Sequence, residues 1–240
     1  MSFDWQSFFS SYRTRVSIRS EEDLLYQVGY SVSGKPITNA QFCAIISDLE
    51  SGLRFQADDN VLDLCCGNGL LSHRIGSTVN SVLGIDFSEA YIENANHYRS
   101  LENVKYVSQN VLQIGELLRD ANCRWSKVVM YSALAYFTPA DLQEMLTLLM
   151  PHLSPGASMF IGGIPDSDRK WSFYNTWLRR VRFVWNVKVC GRESGIGRWW
   201  TRAGIEEICS RNRLTCSFHS ENPILHTFHY RFDALIKFND

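Results

Sequence analysis

The chain has almost no net charge, no long apolar run and no paired-cysteine motif. Its 24 Lys and Arg against 25 Asp and Glu leave a formal charge of −1, so any nucleic-acid role has to come from charge distribution rather than from bulk charge. No stretch approaches the roughly 18 apolar residues of a membrane span. The seven cysteines (43, 65, 66, 123, 190, 209, 216) are odd in number and contain no C-x-x-C pair, which excludes a zinc ribbon or a dithiol redox centre and predicts reduced thiols. The opening "MSFDWQSFFSSYR" carries an early acid and lacks a signal-peptide core, and a cytoplasmic location is expected. Repeats, low-complexity linkers and a regular G-x-G-x-x-G are also missing.

What is present is a rhythm. With 45% hydrophobic residues in 240, the chain can bury a full core, and one α/β domain is expected. The runs "VLDLC" (61–65), "SVLGID" (81–86), "VKYVS" (104–108), "SKVVMYS" (126–132) and "ASMFIGG" (157–163) read as strands. Between them lie segments with 3.6-residue spacing such as "PADLQEMLTLLMPHL", the one near 111–119 being weakest. "EEDLLYQVGY" and "TNAQFCAIISDLESGL" predict helices before the sheet, the second capped by Thr38 or Asn39. "RWWTRAGIEEICSRN" predicts a late helix, followed by two β-like runs, "LTCSFHS" and "HYRFDALIKF". That alternation predicts a doubly wound sheet covered by helices on both faces.

In such sheets ligands bind at the carboxyl ends of the strands, usually at the first strand-to-helix turn. "CCGNGLLS" is that turn, and Gly67 and Gly69 let a ligand approach the main chain closely. Asp63 is the oddity. A carboxylate inside an apolar strand is costly unless a cation or hydrogen-bond donors meet it. Asp86, ending the second strand, is placed to take both hydroxyls of a ribose. Together they predict a nucleoside ligand bearing positive charge, since pyrophosphate on this turn would be repelled by Asp63.

The spacing of Asp63, Cys65, Gly67 and Gly69 resembles the D-x-G-x-G-x-G motif of class I S-adenosylmethionine-dependent methyltransferases, with cysteine in the first glycine position. The similarity runs from about residue 60 to 238. It implies a Rossmann-like seven-stranded sheet, mostly parallel with a C-terminal antiparallel hairpin, plus N-terminal helices and a helix inserted after strand five. It implies one methyltransferase domain over 1–240, comprising an N-terminal helical cover (1–58), a cofactor-binding core (59–165), a substrate-side insertion (166–195) and a C-terminal helix and hairpin (196–240). The cofactor implied is S-adenosylmethionine. Asp63 would neutralise its ammonium, directly or through water, with Cys65, Gly67, Asn68 and Gly69 against its amino-acid part. Asp86 and Phe87 would face the ribose, Asn110 and Val111 the adenine, and Ser132 the strand-four exit. Asn110 stands where the family often has an acid, and its side-chain carbonyl can still accept from the adenine amine. Tyr136 stands where many relatives have an aromatic or histidine, and is expected either at the substrate or as a packing aromatic.

Other features leave alternatives open. Asp63 can instead be a structural acid held by backbone amides, and Cys65 and Cys66 buried fillers rather than nucleophiles. For an oxygen acceptor, His226, His229 or Asp166 is a candidate base, Asp166 alternatively being a helix cap. No metal is expected, because the two histidines point apart on an extended backbone and no third ligand is evident. The segment 169–192 holds seven cations and no acid. Drawn as one helix, it places Trp171, Tyr174, Leu178, Val181 and Trp185 on one face. Either that face packs on the sheet beneath a solvated basic side, or the helix caps the substrate and Arg179 and Arg180 bind an anionic acceptor. The acceptor expected is a small molecule, saccharide-like or anionic, with a membrane surface as a further option and nucleic acid disfavoured. No "NPPY"-type sequence marks strand four, which favours a hydroxyl acceptor. Two other classes stay in view: a non-catalytic cofactor-binding partner protein, and a nicotinamide-dependent oxidoreductase.

Overall fold

The computed structural model describes residues 18–121, 123–189 and 195–239. The opening segment "MSFDWQSFFSSYR" and Cys190 lie outside them. Helix α1 (Glu21–Gln27) starts at a capping box between Ser20 and Asp23. It leads into a short antiparallel ribbon, β1 (Ser31–Val32) and β2 (Lys35–Pro36), where a continuation of the helix to residue 30 was expected; Gly29 in the left-handed region ends it. Helix α2 (Asn39–Leu53) is capped by Thr38, whose hydroxyl accepts from Gln41 while the Gln41 side chain returns to the Thr38 amide.

The sheet then assembles from β3 (Asn60–Leu64), β4 (Ser81–Asp86), β5 (Val104–Ser108), β6 (Trp125–Tyr131), β7 (Leu153–Pro165), β8 (Thr215–Ser220) and β9 (Arg231–Lys237). Their order is β5-β4-β3-β6-β7-β9-β8, with β9 antiparallel to both neighbours and all other pairings parallel. This is the expected sheet. Strand β7 is longer than the expected 157–163, because its first residues pair with β6 across a bulge.

Alternation along the strands sorts the core into two layers. Val61, Val82, Val129 and Phe160 face one side, where they bury the apolar stripes of α2, α3 (Leu70–Gly76) and α4 (Glu89–Tyr98). Their neighbours Leu62, Val128, Met130, Met159 and Ile161 face the other side, beneath α5 (Gly115–Asp120), α6 (Pro139–Leu149) and α9 (Arg202–Arg211). The weak segment near 111–119 resolves into a 3-10 turn, Val111–Gln113, followed by α5.

The segment after β7 departs from the single helix drawn from sequence. Helix α7 (Lys170–Phe173) stops, and α8 (Trp177–Val184) restarts with Thr176 as its N-cap before passing into a π-helical turn, Trp185–Val189. The break rotates the two pieces relative to one wheel, so the expected shared face does not form. Trp177, Leu178, Val181, Val184 and Trp185 are exposed, and Phe183 is the residue of α8 that packs inward, against Trp171 and Tyr174.

Candidate functional site

The chain order reverses between β3 and β6, and a cavity of about 430 Å3 opens at the carboxyl edge of the sheet there, within the roughly 300–1,000 Å3 of small-molecule sites. Its floor is the turn after β3. The backbone enters the left-handed region at Cys65, Gly67 and Gly69 (φ 60, 57 and 77°). At Gly67 a Cβ would lie 2.8 Å from Val28 Cγ1, so both the conformation and the approach of the N-terminal segment demand glycine. Cys65, in the position the motif gives to glycine, holds the same conformation at a cost of about 1–2 kcal/mol.

Asp86 organises the turn. Its Oδ2 accepts from the Gly67 amide at 3.0 Å and its Oδ1 from the Ser88 amide at 2.9 Å. Each oxygen retains a lone pair for a further donor, and the residue lines the cavity. Burial pushes its pKa up to about 6, the two amide bonds opposing the rise.

Asp63 lies one layer deeper. It is 1% exposed and does not line the cavity; its Oδ2 accepts from Ser72 Oγ of α3 at 2.5 Å. Of the two contacts with a ligand ammonium expected from sequence, direct or through water, the direct one is therefore not made available at the cavity surface. Burial raises its pKa to about 7, the Ser72 bond opposes this, and the nearby Asp86 adds to it. Burial first, then the same two carboxylates, hold the Cys65 and Cys66 thiols well above their usual pKa, so both stay protonated and poor nucleophiles.

Asn68 lines the cavity by position, but its Nδ2 donates to Leu24 O at 2.9 Å and Gln27 Oε1 at 2.8 Å. It fastens α1 over the turn, and Val28, Gly29 and Tyr30 thereby become the roof. The flank opposite the glycine turn is formed by Phe87, Asn110, Val111 and Leu112. The Asn110 side-chain carbonyl accepts from the Leu112 amide at 3.0 Å, capping the 3-10 turn. Gly69 supports the turn from below, its backbone against the Tyr106 ring.

The β6 exit forms the other end. Ser132 and Tyr136 line the cavity as expected. So does Asp141, whose Oδ2 caps α6 by accepting from the Thr138 amide at 2.6 Å. Sequence reasoning missed Tyr30, Tyr131, Asp141 and above all Arg231. Arg231 Nη1 donates to Ser132 Oγ at 3.0 Å. Ser132 and the facing Gly163 are both left-handed (φ 56 and 69°), and a Cβ on Gly163 would fall 2.7 Å from Ser132 Oγ and 3.2 Å from Arg231 Nη1. The guanidinium thus reaches the cavity through a gap that only glycine leaves. Behind it sit Glu221 and Asp233, buried carboxyls whose pKa burial raises, Asp233 to about 7.

The three candidate bases are not brought to this cavity. Asp166 is fully buried: its Oδ2 pairs with Arg169 Nε at 2.8 Å and an Arg202 Nη at 3.0 Å, and its Oδ1 accepts from the Asp168 amide at 2.9 Å. It ties the end of β7 to α7 and α9. His226 and His229 lie in the loop before β9; partial desolvation and the Arg231 cation hold the His226 pKa below its ordinary value. Arg179 and Arg180 also lie off the cavity. The first stacks over Phe173 at 4.8 Å, and the second donates from Nε to Tyr174 O at 2.9 Å. Among the described residues no three His, Cys, Asp or Glu side chains cluster as metal ligands.

The chain is similar to known proteins in sequence and in fold. Residues 61–156 match the family model described as "Methyltransferase domain". The human "Ubiquinone biosynthesis O-methyltransferase, mitochondrial" is 30% identical over 114 residues, 47% of this chain and 30% of that protein. A Coxiella burnetii "Ubiquinone biosynthesis O-methyltransferase" is 25% identical over 156 residues, 61% of this chain and 63% of that protein. The matched segment thus spans less than a third of the mitochondrial relatives. Among solved structures, a "DhpI-SAH complex structure" superposes with a TM-score of 0.63 at 17% identity, over 98% of this chain and 96% of that one. The Synechocystis magnesium protoporphyrin IX methyltransferase (ChlM) with bound SAH gives 0.58 at 15%, over 98% and 95%. Sheet order and glycine turn agree with these likenesses: residues 61–156 are similar to a methyltransferase domain, and the chain shares the fold of these solved methyltransferase structures.

Proposed function

We propose that this chain binds S-adenosylmethionine in the switch-point cavity and transfers its methyl group to a hydroxyl of a small acceptor that carries an anionic group. The observation that supports the cofactor most is Asp86, fixed by two backbone amides at the end of β4 with lone pairs left toward the cavity. A vicinal diol fits those remaining acceptors, and the flat apolar flank of Phe87, Val111 and Leu112 fits an adenine ring. When bound, S-adenosylmethionine supplies a methyl carbon made electrophilic by its sulfonium.

The rest of the task falls to the chain. Asp86 would hold the ribose, Asn110 would border the adenine, and Gly67 with Cys65 would leave room for the amino-acid part. The roof of Val28 and Tyr30 excludes water from the reacting centre. Burial holds the phenols of Tyr30 and Tyr131 far above their usual pKa, so both remain hydrogen-bond donors rather than bases. Asp141 and Tyr136, at the β6 exit, are the groups placed to receive or orient the hydroxyl proton. Arg231, held by Ser132, is placed to take a carboxylate or phosphate of the acceptor. The printed names of the curated relatives, both O-methyltransferases, support an oxygen acceptor.

The test is calorimetry with S-adenosylhomocysteine against NAD, followed by transfer of labelled methyl into a metabolite extract. Binding of NAD alone overturns the reading, and cofactor binding without any labelled product leaves a partner protein in its place. Arg231→Met should lower transfer about 10- to 100-fold, the ~1.5–3 kcal/mol of a hydrogen bond to a charged group, while cofactor affinity holds. Loss of cofactor affinity instead would assign Arg231 to the cofactor's own carboxylate. The double variant His226→Ala, His229→Ala should transfer within about twofold of the parent, as surface substitutions do; a collapse of kcat would restore a histidine base.

A further inference from the structure

Helix α8 is amphipathic and mounted with its apolar stripe outward. At 100° per residue, Trp177, Leu178, Val181, Val184 and Trp185 fall within an arc of about 120°. All five are exposed, Trp177 by 71% and Trp185 by 59%. Phe183, on the opposite side, is the residue that packs on the body of the protein, 4.4 Å from the Tyr174 ring and 5.9 Å from Trp171. Arg180 and Arg182 flank the stripe, and with Lys170 and Arg179 they lie in a segment, 169–192, that has seven cations and no acid. The remainder of a chain of net charge −1 thus carries −8, and three of the segment's cations, Arg179, Arg180 and Arg182, stand on α8 itself.

We propose that α8 is a docking element for an anionic lipid bilayer, lying in the headgroup plane with both tryptophans inserted. Three observations favour this occupant. The stripe is bordered by arginines, which match anionic headgroups, whereas a two-fold contact with a second copy would set the same arginines against each other. Tryptophans stand at the two ends of the stripe, eight residues or about 12 Å apart, and indoles favour the interfacial depth. No described helix is long and apolar enough to cross a membrane, which suits an element that lies on the surface rather than spanning it. The inference is independent of methyl transfer, because it concerns a surface outside the cavity.

The test is flotation of the full chain with vesicles of phosphatidylcholine alone and of phosphatidylcholine and phosphatidylglycerol in equal parts. The expected result is co-flotation with the anionic vesicles, weakened by salt, and little with the neutral ones. Trp177→Ser with Trp185→Ser should lower partitioning at least about tenfold, from the lost apolar burial. Arg182→Glu should lower it about tenfold as well, from the reversed charge. Both variants should keep the parent's circular dichroism and S-adenosylhomocysteine affinity, so that lost flotation is not lost folding. Failure of the parent chain to float, or equal flotation of the tryptophan variant, overturns the proposal. A concentration-dependent dimer that the tryptophan variant abolishes without vesicles would assign the stripe to a second copy and overturn it too. Flotation without transferase activity would leave this inference standing and sink the preceding one.

Discussion

Asp86→Ala should weaken S-adenosylhomocysteine binding about 10²- to 10⁴-fold, with Asp86→Asn in between. Two charge-assisted hydrogen bonds from a ribose diol are worth about 1.5–3 kcal/mol each, and alanine forfeits both. The protein side adds to it, because the same carboxylate holds the Gly67 and Ser88 amides. Without it the glycine turn loses its anchor and two buried donors lose their acceptor. Asparagine keeps one acceptor oxygen and part of the anchor. Calorimetry of the three proteins, with thermal melts of each ligand-free form, separates the contributions. An alanine variant that binds within threefold of the parent would remove the nucleoside from this cavity.

Asp63→Asn should change the pH dependence of stability and of binding in opposite senses. Folding raises the Asp63 pKa from its ordinary value of 3.8 to about 7, so between those values the folded state binds the proton that the unfolded state has lost. With more protons bound when folded, the unfolding free energy falls as pH rises from about 4 to about 7, by up to ~1.4 kcal/mol per pH unit for one such group. Stability from this group is whole below pH 4 and gone above 7. Asp86 and Asp233, with pKa raised to about 6 and about 7, slope the same way. The ligand-free protein should therefore be more stable near pH 5 than near pH 8. Asp63→Asn, which has nothing to ionise, should flatten part of that slope in urea titrations at pH 5, 6 and 7. Its affinity for the cofactor should fall about tenfold or more at pH 8, since the buried negative charge that attracts the ammonium through the turn is gone. Binding to the parent should also release protons near pH 6.5, measurable in buffers of different ionisation enthalpy. A parent protein with flat stability from pH 5 to 7 would show Asp63 to be ionised throughout.

The contrast between these two acids shows what sequence alone could deliver. Asp86 was legible because its partners, Gly67 and Ser88, belong to the same local motif. The strands were legible because a strand covered by helices on both faces reads as a short apolar run, and the glycine turn because three left-handed residues in five leave few alternatives. Asp63 was half legible: its burial was plain, but Ser72, one turn into the next helix, supplies the hydrogen bond that a ligand was expected to supply. Arg231 was not legible, since it reaches Ser132 across 99 positions through the β7-β9 pairing. The aromatic segment was misdrawn because a wheel assumes unbroken helix, whereas Asn175 and Thr176 interrupt it.

The fastening of Asn68 to Leu24 and Gln27 has a practical consequence for anyone handling this chain. Because the ceiling over the ligand is made from residues 28–30, occupancy and N-terminal protease resistance should rise and fall as one quantity. Limited digestion with and without S-adenosylhomocysteine would thus serve as a binding gauge that needs no knowledge of the methyl acceptor. A tag or trimmed boundary that disturbs Leu24 should weaken S-adenosylhomocysteine binding while leaving the sheet intact.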